Sequence, residues 1–258
     1  EQEEGEEGKM VITRIHDRVN YINRQSPANR RLHHIIASNI DQSMLIATLR
    51  EPRTSQGFID RFLVASEAYH VPAIIVLNKS DVYREKDKAL YEEWKEMYNS
   101  VGYPLILMST KTGQGIEELK ELLRNKITLM SGHSGVGKST LINQLLPELD
   151  LRTQEVSGWS GKGLHTTTFA EMYDLGFGGK IIDTPGMREF GLVDISRNEL
   201  SHYFPEMRNL LQDCQFNNCL HLNEPGCAVK QAVVEDRIYV SRYDSYCNIL
   251  DTLEENKW

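Results

Sequence analysis

The chain has 258 residues, with 29 basic and 37 acidic side chains for a net charge of −8, 40% hydrophobic residues and 8% aromatic ones. That length holds one large domain or two small ones at roughly 100–200 residues each. The longest apolar stretch, Val71 to Leu77, contains Pro72 and is far short of the roughly 20 residues a membrane helix needs, and the acidic N-terminus lacks a signal-peptide pattern; the expectation is a cytoplasmic protein with no membrane partner, too acidic for simple electrostatic coating of nucleic acid.

In chain order, Glu1 to Gly8 carries five Glu in its first seven residues and has nothing to bury, so it reads as a mobile loop or a cut end without a fold role. Met10 to Arg24 mixes Val11, Ile12, Ile15, Val19, Tyr21 and Ile22 with arginines and reads as extended chain. A lone strand or hairpin does not stand by itself in water, so this piece either pairs with the downstream domain or belongs to a β domain that begins earlier. Arg14, Arg18, Arg24, Arg30 and Arg31 against a single acid, Asp17, give Met10 to Ile35 a local balance of +4, a basic patch in an acidic protein.

From Ser43 onward, short apolar runs alternate with helical periodicity, which predicts a mostly parallel sheet covered by helices on both faces. Ser43–Leu49, Pro72–Leu77, Pro104–Met108, Ile127–Met130, Phe169–Leu175 and Lys180–Ile182 read as strands, the last two joined by the turn Gly176 to Gly179. Phe58, Ile59, Phe62, Leu63 and Ala65 read as one helix face. Leu90, Trp94 and Met97, and then Ile116, Leu119, Leu122 and Leu123, repeat at helical spacing. Beyond a boundary near Asn198 the chain turns Cys-rich and ends in an amphipathic helix with Tyr243, Tyr246, Cys247, Leu250 and Leu253 on one stripe, where Cys247 reads as core.

Gly132-His-Ser134-Gly135-Val136-Gly137-Lys138-Ser139-Thr140 is a phosphate-loop pattern set between a strand and a helix. Its glycines let backbone N–H groups close around phosphates, Lys138 supplies a point charge at the β/γ oxygens, and Ser139 can ligate Mg²⁺. Asn78-Lys79-Ser80-Asp81 comes directly after the strand ending at Leu77. A carboxylate there accepts two hydrogen bonds from a guanine edge, where adenine would present an acceptor, so GTP or GDP is expected rather than ATP, and an ATP-dependent kinase is disfavoured. Ser109-Thr110-Lys111 is placed to contact the base oxygen and back the purine. Asp183-Thr-Pro-Gly186 ends a strand, with Asp183 expected in the Mg²⁺ shell and the Gly186 N–H expected on the γ-phosphate.

Between these motifs, Gly161-Lys-Gly-Leu-His165-Thr166-Thr167-Thr168 occupies the position of a switch, and Thr167 or Thr168 is expected to complete the Mg²⁺ shell. The guanine motifs precede the phosphate loop, the reverse of the order in Ras-like GTPases, which predicts a circularly permuted GTPase whose second switch runs directly into the C-terminal unit. Position 187 is Met, which cannot orient a water as the Gln of Ras-type enzymes does. Intrinsic hydrolysis should therefore be slow, with His165 the best replacement in cis, while His133 packs or bonds locally. Finally, Cys214-x4-Cys219-x-His221-x5-Cys227 supplies three thiolates and one imidazole, a closed tetrahedral set that predicts a structural Zn²⁺.

With these motifs together, the chain from about Val11 to Glu254 resembles the ribosome small subunit-dependent GTPase A (RsgA) family. The resemblance rests on the permuted motif order, Gly163-x-His-Thr-Thr-Thr, the Cys₃His spacing and the run Ala228 to Tyr246. It implies an N-terminal OB-fold, here reduced to a strand or two within residues 1–35, a GTPase domain over 36–198 and a zinc domain over 199–258. It also implies catalytic use of His165, GTP hydrolysis stimulated by the small ribosomal subunit, and contacts to its rRNA; the leading expectation is a monomer in which hydrolysis times release. The alternative is a guanine-nucleotide sensor or scaffold on rRNA in which occupancy, not hydrolysis, is the signal.

Overall fold

The computed structural model describes residues 2–4, 10–25, 33–149, 170–184 and 195–253. It begins with two antiparallel strand pairs, β1 (Gln2–Glu4) with β2 (Met10–Ile12) and β3 (Tyr21–Gln25) with β4 (His33–Ser38). The first pair corrects the reading of a mobile loop for Gln2–Glu4, the described part of that acidic stretch: strand pairing uses backbone groups, so an acidic composition does not prevent it. In the second pair, Ile22 and Ala37 are buried in the main core. The Asn20 carboxamide bonds both the N–H and the carbonyl of Ile40, at 2.9 and 2.7 Å, and so ties the pair to the start of the central sheet. Within the stretch from Met10, Tyr21–Gln25 thus pairs with the chain downstream and packs on the core through Ile22, whereas Met10–Ile12 pairs upstream with Gln2–Glu4. Arg14 and Arg18 are exposed, while Arg30 and Arg31 lie outside the described residues.

The centre is a six-stranded sheet built from β5 (Gln42–Ala47), β6 (Ala73–Leu77), β7 (Leu105–Leu107), β8 (Ile127–Ser131), β9 (Glu171–Asp174) and β10 (Lys180–Asp183), in the order β7-β6-β5-β8-β10-β9. All neighbours are parallel except β9 with β10, which form a hairpin. Side chains alternate across the sheet because a strand has period two. Leu45, Ala47, Ile75 and Leu77 face one core, shared with α1 (Gln56–Ala68) and α2 (Glu85–Ser100); Met44, Ile46, Ile74 and Val76 face the other, shared with α3 (Ile116–Leu123) and α4 (Lys138–Leu145). A strand buried on both faces must be apolar throughout, which is why these runs read as continuous rather than alternating.

The C-terminal part is mainly helical, with α5 (Pro205–Arg208), α6 (Ala228–Val234) and α7 (Val240–Thr252) around a third apolar cluster. Ile195, Phe204, Met207, Val229, Tyr246 and Leu250 are buried there, and Val64 on the outer face of α1 joins them. Cys247 is half-buried at the edge of this cluster rather than inside it, because Arg242, Ile249 and Tyr246 take the inward face of α7. Among the described residues no helix is long and apolar enough to cross a membrane.

Candidate active site

Parallel strands put their C-terminal ends, and the loops that leave them, on one edge of the sheet, which is where α/β folds bind ligands. Here β8, β6 and β10 deliver the phosphate loop, Asn78 to Asp81, and Asp183 to that edge. The phosphate loop turns through three glycines with positive φ: Gly132 at 148°, Gly135 at 81° and Gly137 at 103°. A Cβ at Gly132 would strike the Ile46 carbonyl oxygen, and one at Gly137 would strike Asn78 Nδ2, so side chains are excluded there by contact as well as by conformation. Lys138 opens α4 and folds back over the loop, its ammonium donating to the carbonyls of Gly132 at 2.6 Å and His133 at 2.9 Å. Two of its three N–H groups are thereby fixed and the third is left for a ligand. Burial lowers the Lys138 pKa, opposed by the Asp183 charge; burial likewise raises that of Asp183, opposed by Lys138. The His133 ring lies against Phe58 of α1, with centroids 3.8 Å apart, in the local packing role expected of it.

Asn78 is fully buried and assembles the site. Its Nδ2 donates to Val136 O in the phosphate loop at 2.8 Å, and its Oδ1 accepts from Thr110 N at 3.1 Å. One side chain thus joins three loops. Lys79 adopts a left-handed backbone, φ 65°, and reaches the Glu51 carbonyl. Asp81 is oriented by Ser109, whose hydroxyl donates to Asp81 Oδ1 at 2.7 Å and accepts from Thr112 N at 3.2 Å, while Lys111 Nζ lies 3.9 Å from Asp81 Oδ2. Within the segment Ser109 to Lys111, expected at the base, the Ser109 hydroxyl aims the Asp81 carboxylate with its single O–H. Tyr83, which the sequence did not single out, accepts from Leu49 N at 3.0 Å and donates to Asn78 O at 2.7 Å.

Asp183 Oδ1 is buried with no hydrogen-bond partner among the described residues. An unpaired buried carboxylate oxygen costs desolvation energy, and a hard divalent cation with oxygen ligands is the group that fits it. Ser139 stands on the first turn of α4, one residue after Lys138, whose charge interacts with that of Asp183. His165, Thr166, Thr167, Thr168, Gly186 and Met187 lie outside the described residues, whereas Ser134 and Thr140 are exposed at the loop.

In the C-terminal part, the donor atoms of Cys214, Cys219, His221 and Cys227 all lie within 4.8 Å of one another. His221 Nδ1 is the inward atom, 3.3 Å from Cys227 Sγ and 3.7 Å from Cys214 Sγ. The loop is held by backbone bonds: the Tyr243 and Tyr246 hydroxyls donate to His221 O and Leu220 O at 2.6 and 2.9 Å, and the Glu224 carboxylate accepts from Leu220 N and Leu222 N, both at 2.8 Å. Burial pushes the Cys219 thiol up to about 12, raises Cys227 and keeps His221 neutral. A converging set of buried thiols beside a neutral imidazole fits zinc, which displaces the thiol protons on binding.

A mostly parallel sheet with a phosphate loop after its fourth strand in sequence and an Asn-Lys-x-Asp loop after an earlier one defines a circularly permuted P-loop GTPase. The sequence profile of the RsgA GTPase family matches residues 15–193. A protein of Flavobacterium psychrophilum named Small ribosomal subunit biogenesis GTPase RsgA is 52% identical over 247 residues, spanning 95% of this chain and 75% of that one. Among solved structures, YjeQ from Thermotoga maritima superposes with a TM-score of 0.82 at 38% identity, over 99% of this chain and 83% of that one. YloQ, described as a circularly permuted GTPase, superposes with a TM-score of 0.76 at 30% identity, over 100% of this chain and 79% of that one. The chain belongs to the RsgA GTPase family and is a GTP-hydrolysing enzyme.

Proposed function

We propose that this GTPase is a late maturation factor of the small ribosomal subunit, stimulated by that subunit and its rRNA, with hydrolysis timing its release. The observation that carries this reading is the 52% identity, across 95% of the chain, to a protein named for small ribosomal subunit biogenesis. In this reading Asp81 accepts two hydrogen bonds from the guanine edge, Asn78 and Lys79 set the base loop with Ser109, Thr110 and Lys111 behind it, and Ser134 to Thr140 enclose the phosphates. Ser139, Asp183 and Thr167 or Thr168 would hold Mg²⁺, which neutralises charge on the β- and γ-phosphates when bound. Lys138 meets that same charge from the protein side, and the Gly186 N–H senses the γ-phosphate. His165 orients the attacking water in place of the glutamine that Met187 replaces. Cys214, Cys219, His221 and Cys227 hold a structural Zn²⁺. The chain divides into residues 1–35, a GTPase domain over 36–198 and a zinc domain over 199–258, and acts as a cytoplasmic monomer.

The test is steady-state hydrolysis of GTP and ATP with and without purified small subunits, by wild type, His165→Ala and Asp81→Asn. The expected result is GTP-only turnover that subunits raise by orders of magnitude, loss of the stimulated rate but not of GTP binding in His165→Ala, and a shift toward xanthosine triphosphate in Asp81→Asn. Tight GTP binding with no response to subunits would overturn the ribosomal reading, and unchanged base preference in Asp81→Asn would overturn the guanine assignment.

A further inference from the structure

The base loop has an unusual support. Tyr83 is 8% exposed and its phenol oxygen sits between two backbone groups, accepting from Leu49 N at 3.0 Å and donating to Asn78 O at 2.7 Å. Leu49 belongs to the loop that leaves β5, so the hydroxyl braces that loop against the first residue of the base loop. A second strap runs in parallel, from Lys79 Nζ to the Glu51 carbonyl. An open cavity of about 360 Å³ adjoins the Leu49 end of the brace, with Arg50, Glu51, Arg53, Lys86, Asp87 and Leu90 also in its lining.

The bond to Asn78 O has reach. The Asn78 side chain is itself committed to Val136 O and Thr110 N, so a displacement of the Asn78 main chain moves the phosphate loop and the Ser109 to Lys111 segment with it. Burial raises the Tyr83 hydroxyl to about 12, so it stays a neutral phenol able to donate and accept at once throughout the physiological range.

We infer that Tyr83 is a positioning residue for guanine-nucleotide binding, holding Asn78, and through it the base and phosphate loops, in the geometry that accepts the nucleotide before it arrives. It touches no reacting atom. Its contribution therefore falls on nucleotide affinity and residence time, not on the chemical step. This role rests on the proposal that Asp81 and its loop bind guanine.

The experiment compares wild type, Tyr83→Phe and Tyr103→Phe in the whole chain, measuring GDP affinity and dissociation with a fluorescent guanine nucleotide, KM and kcat for GTP, and thermal unfolding without nucleotide. Tyr103 is the matched control: it is also buried, and its hydroxyl donates to Glu67 at 3.1 Å, but it precedes β7 at the opposite end of the strands from the base loop. Tyr83→Phe keeps the ring and leaves two buried backbone groups unpartnered. Its GDP dissociation constant and KM should rise about tenfold, equivalent to about 1.4 kcal/mol, with faster dissociation and kcat within about twofold of wild type. Tyr103→Phe should unfold at lower temperature with unchanged GDP affinity. Wild-type affinity in Tyr83→Phe, or an equal loss in Tyr103→Phe, would overturn the assignment. Should Tyr83→Phe fail to fold, hydrogen exchange in the wild-type chain decides: GDP should slow exchange of the Leu49 amide together with that of the base-loop amides, and an unresponsive Leu49 amide sinks the proposal. If wild type binds no guanine nucleotide at all, the site reading fails as well, and that result is distinct from a bound wild type with an indifferent Tyr83→Phe.

Discussion

At the scale of single residues, the site is organised by groups that spend their hydrogen bonds on the protein. Asn78 gives its whole carboxamide to two other loops, Ser109 gives its hydroxyl to Asp81, and Lys138 gives two N–H groups to its own loop. Gly137 is the tightest point, at φ 103° with Asn78 Nδ2 where a Cβ would sit. Gly137→Ala incurs about 1–2 kcal/mol of left-handed backbone strain and pushes Asn78 off Val136. It should weaken guanine-nucleotide binding by at least about tenfold while leaving far-UV circular dichroism unchanged; binding at wild-type strength would show that the loop relaxes around the methyl. The phosphate loop and Asn78 to Asp81 were legible in the sequence because their chemistry needs particular residue types at fixed short spacing. Tyr83 was not, since its partners are backbone atoms of Leu49 and Asn78, and a backbone partner leaves no mark on residue type. The contact between Phe58 and His133 joins positions far apart in the chain, and only the folded sheet brings them together.

Among the elements, the buried parallel strands were readable to within a residue or two because burial on both faces demands unbroken apolar runs such as Ala73–Leu77. Strand β4 escaped notice: His33 and His34 come after a basic stretch, and its pairing reaches the core through isolated residues, Ile22, Ile36 and Ala37, rather than an unbroken apolar run. Helix α2 shows a start signal that is electrostatic as well as geometric. The Asp87 carboxylate accepts from the Arg84 N–H at 2.9 Å, and Arg50 lies 3.4 Å away. The Arg84 N–H, aided by Arg50, holds the Asp87 carboxyl below the usual carboxylate range. A carboxyl whose folded pKa is depressed contributes stability that is fully present above its unfolded value, about 4, and lost as pH falls through the folded value. Asp87→Asn should therefore melt at lower temperature than wild type at pH 7, and the two melting curves should converge as pH drops below about 4. Parallel curves across the acid range would show that the carboxylate charge contributes nothing to the cap.

For the whole molecule, the question is what makes the sheet and the C-terminal helices one body, and the answer centres on a buried arginine that no sequence motif marks. Arg242 of α7 is 1% exposed. Its guanidinium meets Asp60 of α1 at 2.5 Å and Glu206 of α5 at 2.7 and 3.2 Å, and stacks near the Phe204 ring, 4.8 Å from its centroid. Tyr98 of α2 closes the group by donating to the same Asp60 oxygen at 2.8 Å. Burial alone would lower the arginine's pKa, but the two carboxylates outweigh it and raise it, so the cation is permanent. Helix α1 is the shared wall: Ile59 and Leu63 face the sheet, Val64 faces the C-terminal cluster, and Phe58 touches the phosphate loop through His133. Replacing Arg242 by Met keeps much of the volume but strands two carboxylates, and breaking a buried pair from one side costs about 3–5 kcal/mol. Urea unfolding of Arg242→Met should show a loss of that size, and the triple variant Arg242→Met, Asp60→Asn, Glu206→Gln should recover part of it, because neutral amides need no cation. A loss below about 1 kcal/mol in the single variant, or a further loss in the triple one, would mean that apolar packing such as that of Val64 in the C-terminal cluster holds the two parts together, with the charges only filling the seam.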